Sequence, residues 1–188
     1  MKHLIPFLLL LSACGGSTSS LPPTDTIQVH LVAVAPSTVA EMLDTFRGAA
    51  EQYQLQLGVT LVVASVEQMG DPAPNVTSLS DREKKFDILG ALAKPGITYI
   101  YAGPLWKDGI SYKTGISSGG CRDGYSVGFH KPNHPQNVGL MMHEMGHLLG
   151  ASHTGDDSVM SGTLPAGTNT WFSGESVMQI GGCLNGVL

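Results

Sequence analysis

Apolar and polar positions follow two different periods along this chain, and the switches between them mark out its elements. Residues 27–35 form an apolar, β-branched run broken only by Gln28 and His30, which predicts a largely buried first strand. The period then changes: Val39, Met42, Leu43, Phe46, Ala49, Ala50 and Tyr53 recur at helical spacing, with Pro36 and Ser37 ahead of them. An amphipathic helix capped by Ser37 is expected. Residues 59–66 read as a second strand. Ser80, followed by Glu83, has the form of a capping box that opens a second helix running to residue 93. Residues 97–102 give a third strand, the glycine-rich stretch to Gly120 a loop, and residues 125–130 a fourth strand. Asn137 is expected to cap a helix over 138–149, and a last helix covers 173–180. Strands alternating with helices predict an α/β (α+β) fold, a twisted and mostly parallel sheet with helices packed on it.

The helix over 138–149 carries the chemistry. His143-Glu144-Met145-Gly146-His147-Leu148-Leu149-Gly150-Ala151-Ser152-His153 spells H-E-x-x-H-x-x-G-x-x-H. Histidines four apart on a helix lie one turn apart on the same face, so both imidazoles reach one metal ion. Glycine takes the positive φ that ends a helix, so Gly150 turns the chain and lets His153 approach from another side. Three neutral nitrogen ligands with a fourth position open describe a single catalytic Zn2+. Glu144, beside the first ligand, stands where a carboxylate takes a proton from a metal-bound water. Five fixed positions arise by chance in a chain of this length roughly once in ten thousand.

Composition adds limits. With 188 residues, one domain is expected, large enough for a core. A formal charge of −5 and the lack of a basic patch exclude nucleic acid as an expected partner. Charged residues make up only 13 % of the chain against 24 glycines, which suits a loop-rich extracytoplasmic protein.

The N-terminus reads as a targeting segment. Lys2 precedes an apolar run over 4–11, interrupted by Pro6, that is too short to span a bilayer and fits a signal h-region. Leu11-Ser12-Ala13-Cys14 resembles the bacterial lipobox, in which the cysteine is lipidated and becomes the first mature residue; a plain secretory signal is the alternative. Residues 1–13 are then the signal peptide and 14–25 a Gly/Ser/Thr/Pro tether. Gly15 and Gly16 follow the cysteine where an aspartate would signal inner-membrane retention, and the resemblance to lipoprotein sorting in Gram-negative bacteria implies the outer membrane. Loss of Lys2, the one charged side chain in 1–13, takes the formal charge from −5 to −6. Lipidation of Cys14 leaves Cys121 and Cys183. In an oxidising compartment an even remainder favours a disulfide, with two buried free thiols as the alternative.

The zinc motif resembles the signature of the metzincin metalloproteases, whose second mark is a Met-turn. Ser158-Val159-Met160-Ser161 resembles that turn, and the resemblance makes Met160 an apolar floor beneath the histidines. Within the clan the chain is similar to the adamalysin/reprolysin group. Gly119-Gly120-Cys121 ahead of Ser126-Val127-Gly128-Phe129 resembles that group's Gly-Gly-x-Cys segment, one residue shorter, and Phe172-Ser173 with Cys183-Leu184-Asn185 its closing helix. In that family the matching cysteines are bonded to each other. The residue after the third histidine is typically aspartate in reprolysins and serine or threonine in matrixins; here it is Thr154. His30 stands where the group's calcium site would use glutamate, so calcium is not carried over.

The resemblance implies a metzincin domain over 26–188, with an antiparallel edge strand, an upper part to about 150 and a small irregular lower part. It implies a monomeric zinc endopeptidase acting on protein or peptide substrates, with Glu144 moving the proton of the attacking water. An extended substrate is expected to pair with an edge strand over 125–130, at Ser126, Val127 and Gly128. Met142 and Leu164 are expected to wall the pocket beyond the scissile bond. The competing reading is a non-catalytic zinc-binding surface lipoprotein that holds a partner in the same cleft; metal binding alone does not require Glu144. Gly115-Ile116-Ser117-Ser118-Gly119 matches G-x-S-x-G, but a loop rather than a helix is expected after it, which disfavours a nucleophile elbow. His130 and His134 read as surface or rim residues, Trp106 and Trp171 as packing residues, and Asp156 and Asp157 as satisfiers of loop backbone, with support of a histidine ligand as the alternative.

Overall fold

Strand β1 (Thr26–Val34) sends alternate side chains into two different cores, and that alternation organises the molecule. The computed structural model describes residues 25–107, 110–112, 114–163 and 165–186. The signal peptide, Cys14, the tether up to residue 24 and Leu164 lie outside the described residues. Ile27, Val29, Leu31 and Ala33 point to one face of the sheet, where α1 (Val39–Leu57) contributes Met42, Phe46, Ala49 and Tyr53 and the zinc-motif helix contributes Met141, Met142, Met145 and Leu148. Val32 and Val34 point to the other face, together with Ile100, Ala102, Val127 and Phe129, and are covered by Phe86 and Leu89 of α2 (Arg82–Gly90). Each fully buried Val, Leu, Ile, Phe or Met side chain among them contributes roughly 1.5–3 kcal/mol of transfer free energy.

The remaining elements are β2 (Thr60–Met69), β3 (Ile97–Ala102), β4 (Leu105–Lys107), β5 (Ile110–Tyr112), β6 (Thr114–Gly119), β7 (Gly124–Phe129), α3 (Asn137–Leu148) and α4 (Gly174–Leu184). The main sheet runs β2-β1-β3-β7-β6. Its first four strands are parallel; β6 is antiparallel to β7 and forms one edge. A separate β4–β5 hairpin stands beside it. The predicted architecture, a mostly parallel sheet with an antiparallel edge, is the one observed. Among the described residues no helix is long and apolar enough to cross a membrane.

Several local expectations need correction. The cap of α1 is Thr38, not Ser37: Thr38 Oγ1 accepts from Glu41 N at 3.2 Å while Glu41 Oε2 accepts from Thr38 N at 2.9 Å. Three residues after Ser37 stands Ala40, which cannot complete the box. Ser80 and Glu83 form no capping box; residues Leu79–Asp81 wind as a 3-10 turn, Glu83 is taken by Arg82, and α2 ends at Gly90. Asn137 is the first residue of α3, preceded by Gln136, and its Nδ2 donates to Tyr101 Oη and to Lys131 O. The glycine-rich stretch read as loop holds β4, β5 and β6.

Cys121, just past β6, and Cys183, in α4, are disulfide-bonded with their Cα atoms 5.2 Å apart. The bond closes 62 residues of sequence and ties α4 to the sheet. Loop-closure entropy for that separation is about 4 kcal/mol. Replacing Cys183 by alanine, or adding reductant, is therefore expected to lower the thermal unfolding midpoint by many degrees in calorimetry; an unchanged midpoint would show that the bond contributes nothing.

Candidate metal centre

Helix α3 presents His143 and His147 on one face, and its end is built to bring a third histidine round. Leu149 N donates to Met145 O, Gly150 N to His147 O and Ala151 N to Gly146 O, with Gly150 at φ +89°. That pair of reversed bonds is a Schellman stop, and only glycine takes its left-handed position without strain. A Cβ at Gly150 would also lie 2.9 Å from the Cys183 Cβ. The chain leaves the helix sideways and carries His153 back to the other two. His143, His147 and His153 form the group able to hold a metal ion among the described residues.

The rings are aimed as well as gathered. His143 Nδ1 donates to Val159 O at 2.7 Å and His147 Nδ1 to Ala151 O at 2.8 Å. Both Nε2 atoms are then bare acceptors, and they lie 3.2 Å apart; His153 Nε2 is also 3.2 Å from His143 Nε2. Two lone-pair nitrogens cannot bond each other, so this spacing is favourable only around a cation. Tetrahedral zinc with Zn–N near 2.0–2.1 Å separates its nitrogen ligands by about 3.3 Å. The donor set fits zinc. Burial pushes His143 down to about 4 and moves His147 in the same direction, which keeps the imidazoles in their neutral, ligating form.

Beneath the triad lies the turn of Met160, fully buried. A Cβ at Gly146 would sit 2.5 Å from the Met160 sulfur, so the helix approaches the turn closely only because residue 146 is glycine. Thr154 ties the turn to the third histidine. Its N–H donates to Met160 O, its carbonyl accepts from Gly162 N, and its hydroxyl donates to Asp156 Oδ1 at 2.7 Å. Asp156 also accepts from Ser158 N, and these bonds from Ser158 and Thr154 bring its carboxyl down to about 2. Asp156 thus satisfies the loop, as expected of it.

Glu144 is buried against β6, and its Oε2 accepts from Ser117 Oγ at 2.8 Å. Burial raises its pKa to about 7, while Ser117 and the nearby charge of Arg82 pull the other way. Ser126 Oγ donates to the Glu144 carbonyl at 3.0 Å and meets Ser117 Oγ at 2.6 Å. Around the histidines opens a cleft of about 710 Å³, bordered by β6 on one side and by residues 150–153 on the other.

Two expectations about the substrate side are overturned. The strand over 125–130 is not an edge: β7 pairs with β3 and with β6, so the main chain of Ser126, Val127 and Gly128 is paired on both sides. The open edge beside the metal centre is β6. Its small, partly polar residues carry too weak an alternation to be read as a strand. Met142 is fully buried, and its carbonyl accepts from Tyr53 Oη, so it packs the core and does not wall the cleft. His130, read as a rim residue, is buried, stacked on Tyr101 with ring centroids 3.9 Å apart and bonded to Tyr99 Oη through Nε2. Trp106 and Trp171, read as packing residues, are about half exposed. Ser117 and Arg82 were missed as neighbours of Glu144. Ser117 did stand out, but as the centre of the G-x-S-x-G match; here it lies within β6, which turns into β7 with no helix after it.

A histidine triad on this sheet, with a buried glutamate beside it, defines a metallopeptidase of the metzincin type. The reprolysin-like metallo-peptidase family M12B matches residues 39–154, more than half of the chain, and the protein belongs to that family. Among solved structures it is similar to archaemetzincin from Methanopyrus kandleri, with a TM-score of 0.60 at 16% identity over 88% of this chain and 99% of that one. It is also similar to metalloproteinase-II from Bacteroides fragilis, with a TM-score of 0.53 at 14% identity over 88% of this chain and 55% of that one. The chain thus spans little more than half the length of the Bacteroides protein, and at these identities the likeness is one of fold. No curated protein sequence matches it.

Replacing Gly146 by valine is expected to push the helix off Met160. Overpacking of this kind costs about 1–3 kcal/mol, measurable as a lower urea midpoint, and zinc affinity measured by competition with a chelator should fall with it.

Proposed function

We propose that this protein is a zinc-dependent endopeptidase of a bacterial cell envelope, tethered by lipid on Cys14. The observation that carries the catalytic part is the convergence of three histidine nitrogens, two of them bare acceptors, beside a buried carboxylate in an open cleft. His143, His147 and His153 hold the ion, one per chain, with Met160 as the floor below them. Zinc, when bound there, supplies a Lewis acid that polarises the scissile carbonyl and makes water acidic near neutral pH. Glu144, its Oε2 steadied by Ser117, takes the proton of the attacking water and passes it to the departing amine. Ser117 and Ser126 together keep the Glu144 segment seated on the sheet.

The substrate adds to β6 as one more strand, since that edge borders the cleft through Gly115, Ile116, Ser117 and Gly119. Main-chain pairing of this kind accepts many side chains, which suits an endopeptidase.

The anchor rests on the apolar run over 4–11 and the lipobox-like Leu11-Ser12-Ala13-Cys14. With residues 1–13 removed and 14–25 as the tether, the domain over 26–188 would work at the outer membrane.

Glu144→Ala is expected to lower cleavage of casein or a peptide library by about 10²–10⁴-fold, the range for a lost general base, while bound zinc measured by atomic absorption stays at one equivalent. Stoichiometric zinc without wild-type cleavage would sink the peptidase reading, and equal cleavage by both proteins would sink the role of Glu144. For the anchor, Cys14→Ser should move the protein from the membrane fraction to the soluble one; retention in the membrane would refute lipidation.

A further inference from the structure

Arg82 opens α2 at the border of the cleft, alongside Gly115, Ser117, Glu144 and His143. Among the described residues that line the cleft it is the one permanently charged cation. Its Nη1 donates to Thr114 Oγ1 at 3.2 Å, which fixes the guanidinium at the first residue of β6. It also binds Glu83, at 2.8 Å from Nη2 and through Nε as well. The Glu83 side chain is 65% exposed and Arg82 34%, so water competes for that ion pair and it is weak. A guanidinium carries five N–H donors in a fork shaped for carboxylates. A second carboxylate entering the cleft therefore finds a positioned, partly desolvated partner.

From this placement we infer that Arg82 is a specificity-determining residue that selects a carboxylate on the C-terminal side of the scissile bond. The inference rests on the peptidase reading and deepens it. The side follows from strand direction. Antiparallel pairing is the more stable mode per residue, and β6 runs from Thr114 beside Arg82 to Gly119 at the far end. A peptide paired antiparallel to β6 runs the opposite way, so its C-terminal part passes Thr114. Ser117 marks the level of the Glu144 carboxyl, and Gly115 packs against the same group. Thr114 and Arg82 thus face the first or second residue after the bond that is cut. That carboxylate comes either from an aspartate or glutamate side chain at this place or from the free C-terminus of a peptide that ends there.

The test uses the full chain, loaded with zinc, and matched peptides cut at one bond. One carries glutamate two residues after that bond; one carries glutamine there with an amidated end; one ends there with a free carboxylate. Wild type is expected to prefer a carboxylate-bearing peptide over the neutral one by about tenfold in kcat/KM, the size of a charge-assisted hydrogen bond, expressed in KM rather than kcat. Which of the two acidic peptides wins tells side chain from terminus. Arg82→Gln should collapse that ratio, Arg82→Lys should restore part of it, and Arg82→Glu should turn the preference toward a lysine-bearing peptide. Equal rates for all peptides in wild type, an unchanged ratio in Arg82→Gln, or an equal fall for every peptide would each overturn the inference. So would an acidic preference on the N-terminal side. Binding of fluorescent peptides to Glu144→Ala separates this from the peptidase reading. Discrimination that disappears on adding Arg82→Gln supports selection by Arg82 even if wild type cleaves nothing; no discrimination, or no binding at all, overturns it.

Discussion

Two imidazole nitrogens 3.2 Å apart with no proton to share, and a third 3.2 Å from the first of them, set the terms for the rest of this structure. Two of the rings have spent their Nδ1–H on backbone carbonyls, so their lone pairs repel unless a cation sits between them. Such an arrangement does not form by itself; the chain must impose it. Helix periodicity supplies two of the rings, and the stop at Gly150 supplies the third. The carbonyls that aim them come from Val159 and Ala151, both beyond the helix. The irregular part after α3 is therefore as much a component of the centre as the helix. It fixes the tautomer and angle of ligands that it does not itself carry.

The sheet sets the second condition, which is where water is excluded. Strand β6 covers Glu144 and leaves its carboxyl one good donor, Ser117. Burial alone would drive the proton on; the hydroxyl and the nearby guanidinium draw it off, and the balance lies close to neutrality. A base poised there accepts and releases a proton with little driving force lost in either direction. The parallel strands hold this edge in place through two cores, each fed by alternate residues of β1 and β3.

How much of this could be read in advance depended on whether a feature was periodic or only local. Strand and helix periods located β1, α1, β3, α3 and α4 because burial on one face imposes a repeat. The histidine motif carried its own geometry, since its spacing is that of a helix turn followed by a glycine stop. Capping failed where two hydroxyl residues are adjacent: Ser37 and Thr38 differ only in what stands three residues later. The edge of the sheet failed for a different reason. A strand of Thr-Gly-Ile-Ser-Ser-Gly has no apolar face because it lies over the cleft and meets a carboxylate. The features that make β6 useful to the site also erase the signal by which strands are recognised. Arg82 is further removed still, since it reaches Glu144 only through the fold and shares no motif with it.

Thr154 shows how a departure from a family pattern is absorbed. The reprolysin resemblance would set aspartate directly after the third histidine. Here the hydroxyl of Thr154 stands there and donates to the carboxylate of Asp156, two residues on. The same oxygen of Asp156 receives Ser158 N, which leads into the turn of Met160. The chain thus keeps a carboxylate in this loop but shifts it along the sequence, with the hydroxyl as intermediary. An aspartate at 154 would place a second negative charge against Asp156, whose hydrogen bonds come from a hydroxyl and a backbone N–H rather than from a cation. The threonine and the displaced aspartate are therefore one device. What holds the Met160 turn under the metal centre is their joint hydrogen-bond pattern, and the identity of residue 154 makes sense only when Asp156 is read with it.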